Sequence, residues 1–462
     1  MSDLQQQLAD LRARVARVAK HCDAKYDAVA GVPFSTRNAL PQSSEPTWHE
    51  EPVEHEIAGH QTAERAQNAV EAWLGGETIE TAHGRHFETE KLYERHRRHG
   101  SADIGSLSEL PEDLLTAISG GAAPLAPPSD WAFLDTETTG LAGGSGTCAF
   151  LVGIGRITPE GFRVRQFFMR DYCEESSLLD AVTRHLAPFR VLITYNGRSF
   201  DQPLLETRYR LNRSRTPFGK LEHLDLLHGA RRLWKLRYES CRLVDLETQV
   251  LGFERNGDVP GALIPYLYFE YLRTGRAARL LPVFHHNATD ILTLACLTGI
   301  VPLAFKDPEN LPFQHGAEIA GIARWLREAG DLEQSRRLFR RAVETRLPNS
   351  GMPDELMFRT LWDLAAIERK LGADEPAVAI WNDLAAVRNA FRIPALEELA
   401  KHYEHRQKDL GRALETTRTA LGYLDVSHED APALRRREQR LIKRTETRRP
   451  KPRSTVKRRR LL

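Results

Sequence analysis

The chain has 462 residues, 41% of them apolar, and its 65 Lys+Arg against 63 Asp+Glu leave a formal net charge of +2. The apolar share excludes wholesale disorder, and no run of about 18 apolar residues marks a membrane span. The five cysteines (Cys22, Cys148, Cys173, Cys241, Cys296) are odd in number and far apart, with no Cys-x-x-Cys. That excludes a disulfide framework or a cysteine zinc site and fits a reducing, cytoplasmic setting. The opening Met1-Ser-Asp-Leu-Gln-Gln-Gln7 has no basic then apolar leader, so no secretory signal is expected.

The near-neutral total hides an uneven distribution. Residues 1–125 hold 12 basic and 20 acidic side chains, 126–305 hold 21 and 19, 306–434 hold 18 and 22, and 435–462 hold 14 and 2. These bounds also divide the chain by pattern. Residues 1–125 are expected to be partly helical and of unknown role. Residues 126–305 read as an α/β domain, 306–434 as an all-α repeat domain and 435–462 as a basic tail, disordered beyond about residue 445.

In chain order, Leu4, Leu8, Leu11, Val15 and Val18 predict an amphipathic helix over 3–20. A polar Pro-, Glu- and His-rich stretch covers 30–68, and a helical segment is expected around Tyr93 and His96, followed by Leu107 to Leu115. Gly120-Gly-Ala-Ala-Pro-Leu-Ala-Pro-Pro128 reads as a linker. Strands follow at Trp131–Leu134, Cys148–Ile154, Phe162–Phe168 and Val191–Tyr195, with a shorter candidate near Leu224. Helices are expected at 174–187, 200–211, 226–236 and 243–251. Consecutive early strands suit a meander and the later alternation suits parallel crossovers, so a mixed sheet is predicted. Beyond about residue 316 strand signals stop. Gly330, Gly372 and Lys408 each precede a small residue at +5 (Ser335, Ala377, Ala413). Phe339, Trp381 and Thr417 stand at +9, and Ala342, Leu384 and Ala420 at +12. The spacings of 42 and 36 residues are irregular for tetratricopeptide units, whose second helix these offsets suggest.

The chemistry concentrates in Leu134-Asp-Thr-Glu-Thr-Thr-Gly-Leu141. Asp135 and Glu137 lie at i and i+2, so on a strand both carboxylates project from one face, and a buried strand end carries two same-side acids only if a cation neutralises them. Asp201 opens a helix after Tyr195-Asn-Gly-Arg-Ser-Phe200, and Asp290 follows Phe284-His-His-Asn-Ala-Thr289 with His286 one helical turn earlier. Four carboxylates beside a histidine suit a hard cation such as Mg²⁺ or Mn²⁺. Asp225 reads equally as a capping residue or a substrate-side acid. No Gly-x-x-x-x-Gly-Lys occurs, which rejects a nucleotide-phosphate loop. His49-Glu-Glu-Pro-Val53 is not a His-Glu-x-x-His zinc site, and Pro52 would break its helix. His55, His60, His83 and His86 are expected at the surface.

Asp135-x-Glu137, Asn196-Gly-x-x-Phe-Asp201 and the histidines before Asp290 resemble the three motifs of the DEDD superfamily of 3′–5′ exonucleases, which have a ribonuclease H-like fold. Gly143-Gly-Ser-Gly-Thr147, His223-Leu-Asp-Leu-Leu-His228 and the trailing repeats resemble the YprB-like subgroup. The resemblance covers roughly 130–305. It implies two-metal phosphodiester hydrolysis, with Asp135, Glu137, Asp201 and Asp290 holding the ions and a histidine as general base. His286 is favoured as that base because it directly precedes Asn287; His285 is the alternative. Thr138, Gly140, Leu141, Asn196 and Phe200 are expected to meet substrate. Residues 208–242 add ten basic groups against three acids, the field that phosphate contacts need. The leading expectation is a metal-dependent 3′–5′ exonuclease acting on single-stranded DNA or RNA ends, with repeats for a protein partner and no membrane role. The alternative is a catalytically weak nucleic-acid-binding scaffold, and an endonuclease of the same fold is a third reading.

Overall fold

The computed structural model describes residues 70–119, 123–140, 146–310, 315–345, 352–425 and 428–448. The expected helix over 3–20, the polar stretch 30–68, Leu141, Gly143, Gly144 and the tail from 449 lie outside these residues. Among the described residues the chain divides into two compact units, one of residues 70–310 and one of residues 315–448.

The first unit is built on a seven-stranded mixed sheet. Its strands are β1 (Glu77–Thr81), β2 (Gly84–Glu94), β3 (Trp131–Thr138), β4 (Ala149–Thr158), β5 (Gly161–Phe168), β6 (Val191–Thr194) and β7 (Glu222–Asp225). The spatial order is β1-β2-β5-β4-β3-β6-β7. β3, β4 and β5 form the expected antiparallel meander. β6 and β7 run parallel to β3, reached through crossover helices α1 (Glu175–Leu186) and α2 (Asp201–Leu211). Helices α3 (Leu226–Trp234), α4 (Ile264–Thr274) and α5 (Leu281–Thr298) complete the layers. Residues 277–306 form an apolar helical stretch long enough to cross a membrane, with a mean hydropathy of 1.8 in its most apolar window, but 78% of that window is buried inside the protein. Its apolarity is that of a core helix lying on the sheet.

Three expectations are corrected here. His86, expected at the surface, is fully buried between the Ser177 hydroxyl at 2.8 Å and Glu88 Oε1 at 2.9 Å. The segment around Tyr93 is a strand, since β2 pairs along its length with β5. Its charges conceal the strand pattern in hydropathy, yet they are satisfied across the sheet: Glu90 takes Arg163 at 3.0 Å, Arg165 at 3.0 Å and Arg156 at 3.4 Å. The sheet therefore draws strands from upstream of residue 126. Residues 123–128 are also no free linker. The Trp131 indole donates to the Ala126 carbonyl at 3.0 Å and Arg190 to the Leu125 carbonyl at 2.9 Å.

The second unit is helical: α6 (Gly316–Ala329), α7 (Leu332–Glu344), α8 (Asp354–Lys370), α9 (Asp374–Ala386), α10 (Arg392–His405), α11 (Leu410–Gly422) and α12 (Ala431–Arg448). Each helix packs on its successor. The three positions that opened the sequence repeat are three left-handed turn residues, Gly330 at φ 92°, Gly372 at φ 78° and Lys408 at φ 56°. Asp331 and Asp409 then cap the following helices through the amides of Gln334 and Arg412, each at 3.0 Å. Residues 435–448, expected as part of the basic tail, continue α12 as ordered helix. Arg437, Arg440 and Arg444 form one stripe that neutralises the buried Glu404, and a buried carboxylate requires such partners.

Candidate active site

The site grows from β3. Residues 131–134 are buried on both faces of the sheet, and the strand then delivers Asp135 and Glu137 at its C-terminal end. Directly across from Asp135 on β4 stands Gly153, and across from Gly153 on β5 stands Gln166. The glycine matters because α5 lies against it. A Cβ there would sit 2.2 Å from the Asn287 Oδ1 and 2.3 Å from Ile291 Cδ1. Into that space Asn287, itself fully buried, inserts its amide. Its Nδ2 donates to Asp135 Oδ2 at 2.8 Å, and its Oδ1 accepts from Gln166 Nε2 at 2.9 Å. One amide thus fixes α5 on the row Asp135–Gly153–Gln166 and presents Asp290 to the strand carboxylates.

Asp201, the first residue of α2, accepts from Thr136 Oγ1 at 2.5 Å. Asp225 is a structural residue. It caps α3 through the Leu227 amide at 3.1 Å and receives the amides of Asn196 at 2.8 Å and Arg198 at 3.2 Å. These bonds hold Asn196 in a left-handed conformation at φ 67°. Thr138 ends β3 and donates to the Gly140 carbonyl at 2.9 Å, while Phe200, just before Asp201, leaves 58% of its surface exposed.

Three residues between α3 and α4, Glu247 in the helical turn 243–251 and Arg255 and Asp258 in the loop after it, complete the cluster, and no spacing in the sequence pointed to them. Arg255, with 6% of its side chain exposed, reaches Glu247 Oε2 through NH2 at 2.5 Å and Nε at 2.8 Å, and Asp258 Oδ2 through NH1 at 3.1 Å. It also ion-pairs with Asp290. Asp258 in turn accepts from His286 Nδ1 at 2.9 Å. This places the proton on Nδ1 and leaves Nε2 3.6 Å from Asp290 Oδ2. His285 is exposed on the outward side of the same helix. Of the two histidines, the geometry brings His286 to the carboxylates.

The RNase_H superfamily profile matches residues 132–301, the span from β3 through α5. The uncharacterized protein YprB of Bacillus subtilis (strain 168) is 34% identical over 291 residues, which are 63% of this chain and 68% of that protein. The chain belongs to the YprB family. In this YprB-family domain the acids come from β3, the head of α2 and the middle of α5, three elements held together by a ribonuclease H-like sheet.

The electrostatics of the cluster are unbalanced. Burial, then the charges of Asp290 and Asp201, push the Asp135 carboxyl well above its ordinary range. Burial, then Asp135, Asp290, Asp201 and Asp258, do the same to Glu137. Asp201 is pushed up to about 6, chiefly by burial, against the hydrogen bond from Thr136. Glu137 is 9% exposed, and among the described residues its carboxylate has no hydrogen-bond or ion-pair partner. Buried acids that raise one another in this way call for cations, and an all-oxygen donor set fits a hard divalent ion. Among the described residues, no three acidic, histidine or cysteine side chains are already closed around one point. The carboxylates would have to draw together on an ion, and Asp290 would have to be shared with Arg255.

Two expected results follow within this YprB-family site. Gly153→Ala would drive a methyl group into Asn287 and Ile291, costing about 1–3 kcal/mol. Its thermal midpoint should fall. An unchanged midpoint would contradict the close approach. The second concerns pH. Asp201 has a folded pKa of about 6 against 3.8 for the free side chain, so between those values the folded state holds more protons than the unfolded one. Stability from this group is present below about 4 and is lost as pH rises through about 6. In EDTA, the midpoint of Asp201→Asn should therefore gain on that of wild type as pH rises from 4 to 7, by at most about 3 kcal/mol. A constant difference across that window would count against the cluster.

Proposed function

We propose that this protein is a metal-dependent nuclease, a 3′–5′ exonuclease of the DEDD type acting on single-stranded ends of DNA or RNA. One observation carries the reading: Asp135, Glu137, Asp201 and Asp290 meet at one end of the sheet, with Glu137 buried and, among the described residues, unpaired. These four would hold two ions, Mg²⁺ or Mn²⁺. When bound, such ions activate a water and stabilise the leaving oxygen of a phosphodiester. The chain's own residues do the rest. Asn287 and Thr136 orient the carboxylates. His286, aligned by Asp258, accepts a proton at Nε2 as general base. Arg255 holds Asp290 in place through their ion pair.

The helical unit, with its left-handed turns at 330, 372 and 408, supports a tetratricopeptide-like module for a protein partner. The free thiols among the described residues, Cys148, Cys173, Cys241 and Cys296, support a cytoplasmic setting.

The deciding assay uses 5′-labelled linear and internally labelled circular single strands of DNA and RNA, each with Mg²⁺ or Mn²⁺. We expect a ladder of shortened products from linear strands and intact circles. Cut circles would replace the exonuclease reading with an endonuclease. The Arg255–Asp290 contact favours a second reading, a catalytically weak scaffold that binds nucleic acid while its repeats recruit protein. Strand binding without hydrolysis under either metal would establish that alternative.

A further inference from the structure

A cavity of about 590 Å³ opens beside the loop that joins β6 to α2. Its wall carries Asn196 from that loop, Arg231 and Lys235 from α3, and Arg242 from the segment after α3. Arg231 and Lys235 are one helical turn apart, so both point to the same side, and both are exposed. Arg242 is paired with Asp245 at 2.8 Å, whereas among the described residues Arg231 and Lys235 form no ion pair. Glu239 is the one acid among the lining residues, against three cations.

The cavity is a fixed structure. Tyr195 anchors its far wall by donating to the Cys241 carbonyl, and Ser240 donates to Asp245 at 2.5 Å. Asp225 ties the two near walls together, capping α3 while holding the Asn196 amide at 2.8 Å. Asn196 is also one of the protein's three non-glycine residues with positive φ among those described. Its side-chain amide makes no hydrogen bond within the described residues. Backbone strain kept at a cavity wall, with a free amide beside two uncompensated cations, is the pattern of a ligand site rather than of packing. The same loop ends at Phe200 and Asp201, so it joins one wall of the cavity to one of the four carboxylates.

We propose that this cavity is a subsite for the phosphodiester backbone of a single strand, one that Arg231 and Lys235 grip through phosphate oxygens while the strand's end reaches the carboxylates. The proposal rests on the nuclease reading for its direction but not for its chemistry. Point charges of this kind bind phosphate without regard to base, so the subsite gives affinity and register and leaves sequence unread. The mixed charge of the whole domain does not predict this. Of the three cations that line the cavity, Arg242 is held by Asp245 at 2.8 Å, which leaves Arg231 and Lys235 as its cationic focus.

The test is strand binding by the full chain in EDTA, using fluorescein-labelled oligothymidylate and oligouridylate over a salt series. Arg231→Gln/Lys235→Gln is compared with a charge-matched control, Arg273→Gln/Arg276→Gln, at the exposed end of α4. Both pairs are exposed, and matching thermal midpoints confirm intact folds. We expect the α3 pair to weaken binding by roughly tenfold or more near 0.1 M salt and to flatten the log–log salt slope by about 1.4, close to 0.7 for each lost phosphate contact. The control should change the slope much less. An unchanged slope in the α3 variant overturns the subsite, and so does an equal loss in both variants, which would report net charge alone. Hydrolysis is read separately with Mn²⁺. A flattened slope in a protein that hydrolyses nothing would keep the subsite and remove the nuclease reading. Hydrolysis with an unchanged slope would do the reverse, and absence of any strand binding would remove both.

Discussion

Asp135→Asn is expected to abolish hydrolysis while making the protein in EDTA more stable. The two effects have one cause. In the folded chain the Asp135 carboxylate is buried beside Asp290 and Asp201, and its ionised form is disfavoured by burial and then by those charges. Asparagine has the same shape, and its Oδ1 can still accept from the Asn287 amide that now bonds Asp135 Oδ2. It removes the repulsion and also the charge that would hold a divalent ion. Metal assistance supplies several kcal/mol of transition-state stabilisation, so the rate should drop at least about 10³-fold. Relief of about 1 kcal/mol of repulsion should raise the midpoint by ~2–4 °C in a unit of this size. Adding Mn²⁺ should stabilise wild type by about 2.7 kcal/mol at a hundredfold excess over its dissociation constant, and the variant by much less. A variant that lost activity by unfolding would show the opposite midpoint shift.

Arg255→Met should cost more stability than any other single substitution in the cluster. Arg255 is the cation shared by Glu247, which is fully buried, and by Asp258 and Asp290. Removing one partner of a buried ion pair leaves uncompensated charge and costs about 3–5 kcal/mol. The deficit should widen as pH rises, because carboxylates stripped of their cation hold protons more tightly folded than unfolded. Arg255→Lys should recover only part of the loss. The guanidinium serves its acceptors through Nε and both terminal nitrogens, and an ammonium cannot reproduce that fork. Denaturant midpoints of the two variants at pH 5 and pH 8 check both statements. Equal stability of Arg255→Met and wild type at pH 8 would show that the carboxylates are already neutralised by something else.

Much of the fold could be read from the chain because its central strands are short apolar runs, and 131–134, 149–154 and 191–194 are buried on both faces. The edge hairpin of β1 and β2 could not. Its stabilising pairs are Glu88 and Glu90 with arginines of β4 and β5, partners more than 60 residues away in sequence, so locally the segment reads as polar and helical. The four carboxylates were legible because each adjoins an apolar run: Asp135 and Glu137 at a strand end, Asp201 at a helix start and Asp290 before Ile291-Leu-Thr-Leu294 inside α5. Arg255 and Asp258 were not, because they sit in Gly252-Phe-Glu-Arg-Asn-Gly-Asp258, whose glycines read as an ordinary turn. Asn287 was visible only as a neighbour of His286. Its importance comes from Gly153, and a glycine in a strand reveals a close approach only when the opposing helix is known. The seating of the basic segment's start was not legible for the same reason, since Glu404 lies 33 to 40 residues before the arginines of α12 that neutralise it.

The central claim is that Asp135, Glu137, Asp201 and Asp290 form a metal-dependent hydrolytic centre. Turnover of one 5′-labelled single strand by wild type and by Asp135→Asn, purified in parallel and incubated with Mn²⁺ or with EDTA, tests it most directly. Shortened products are predicted only from wild type with Mn²⁺. Equal products from the two proteins, or products formed in EDTA, would contradict the claim.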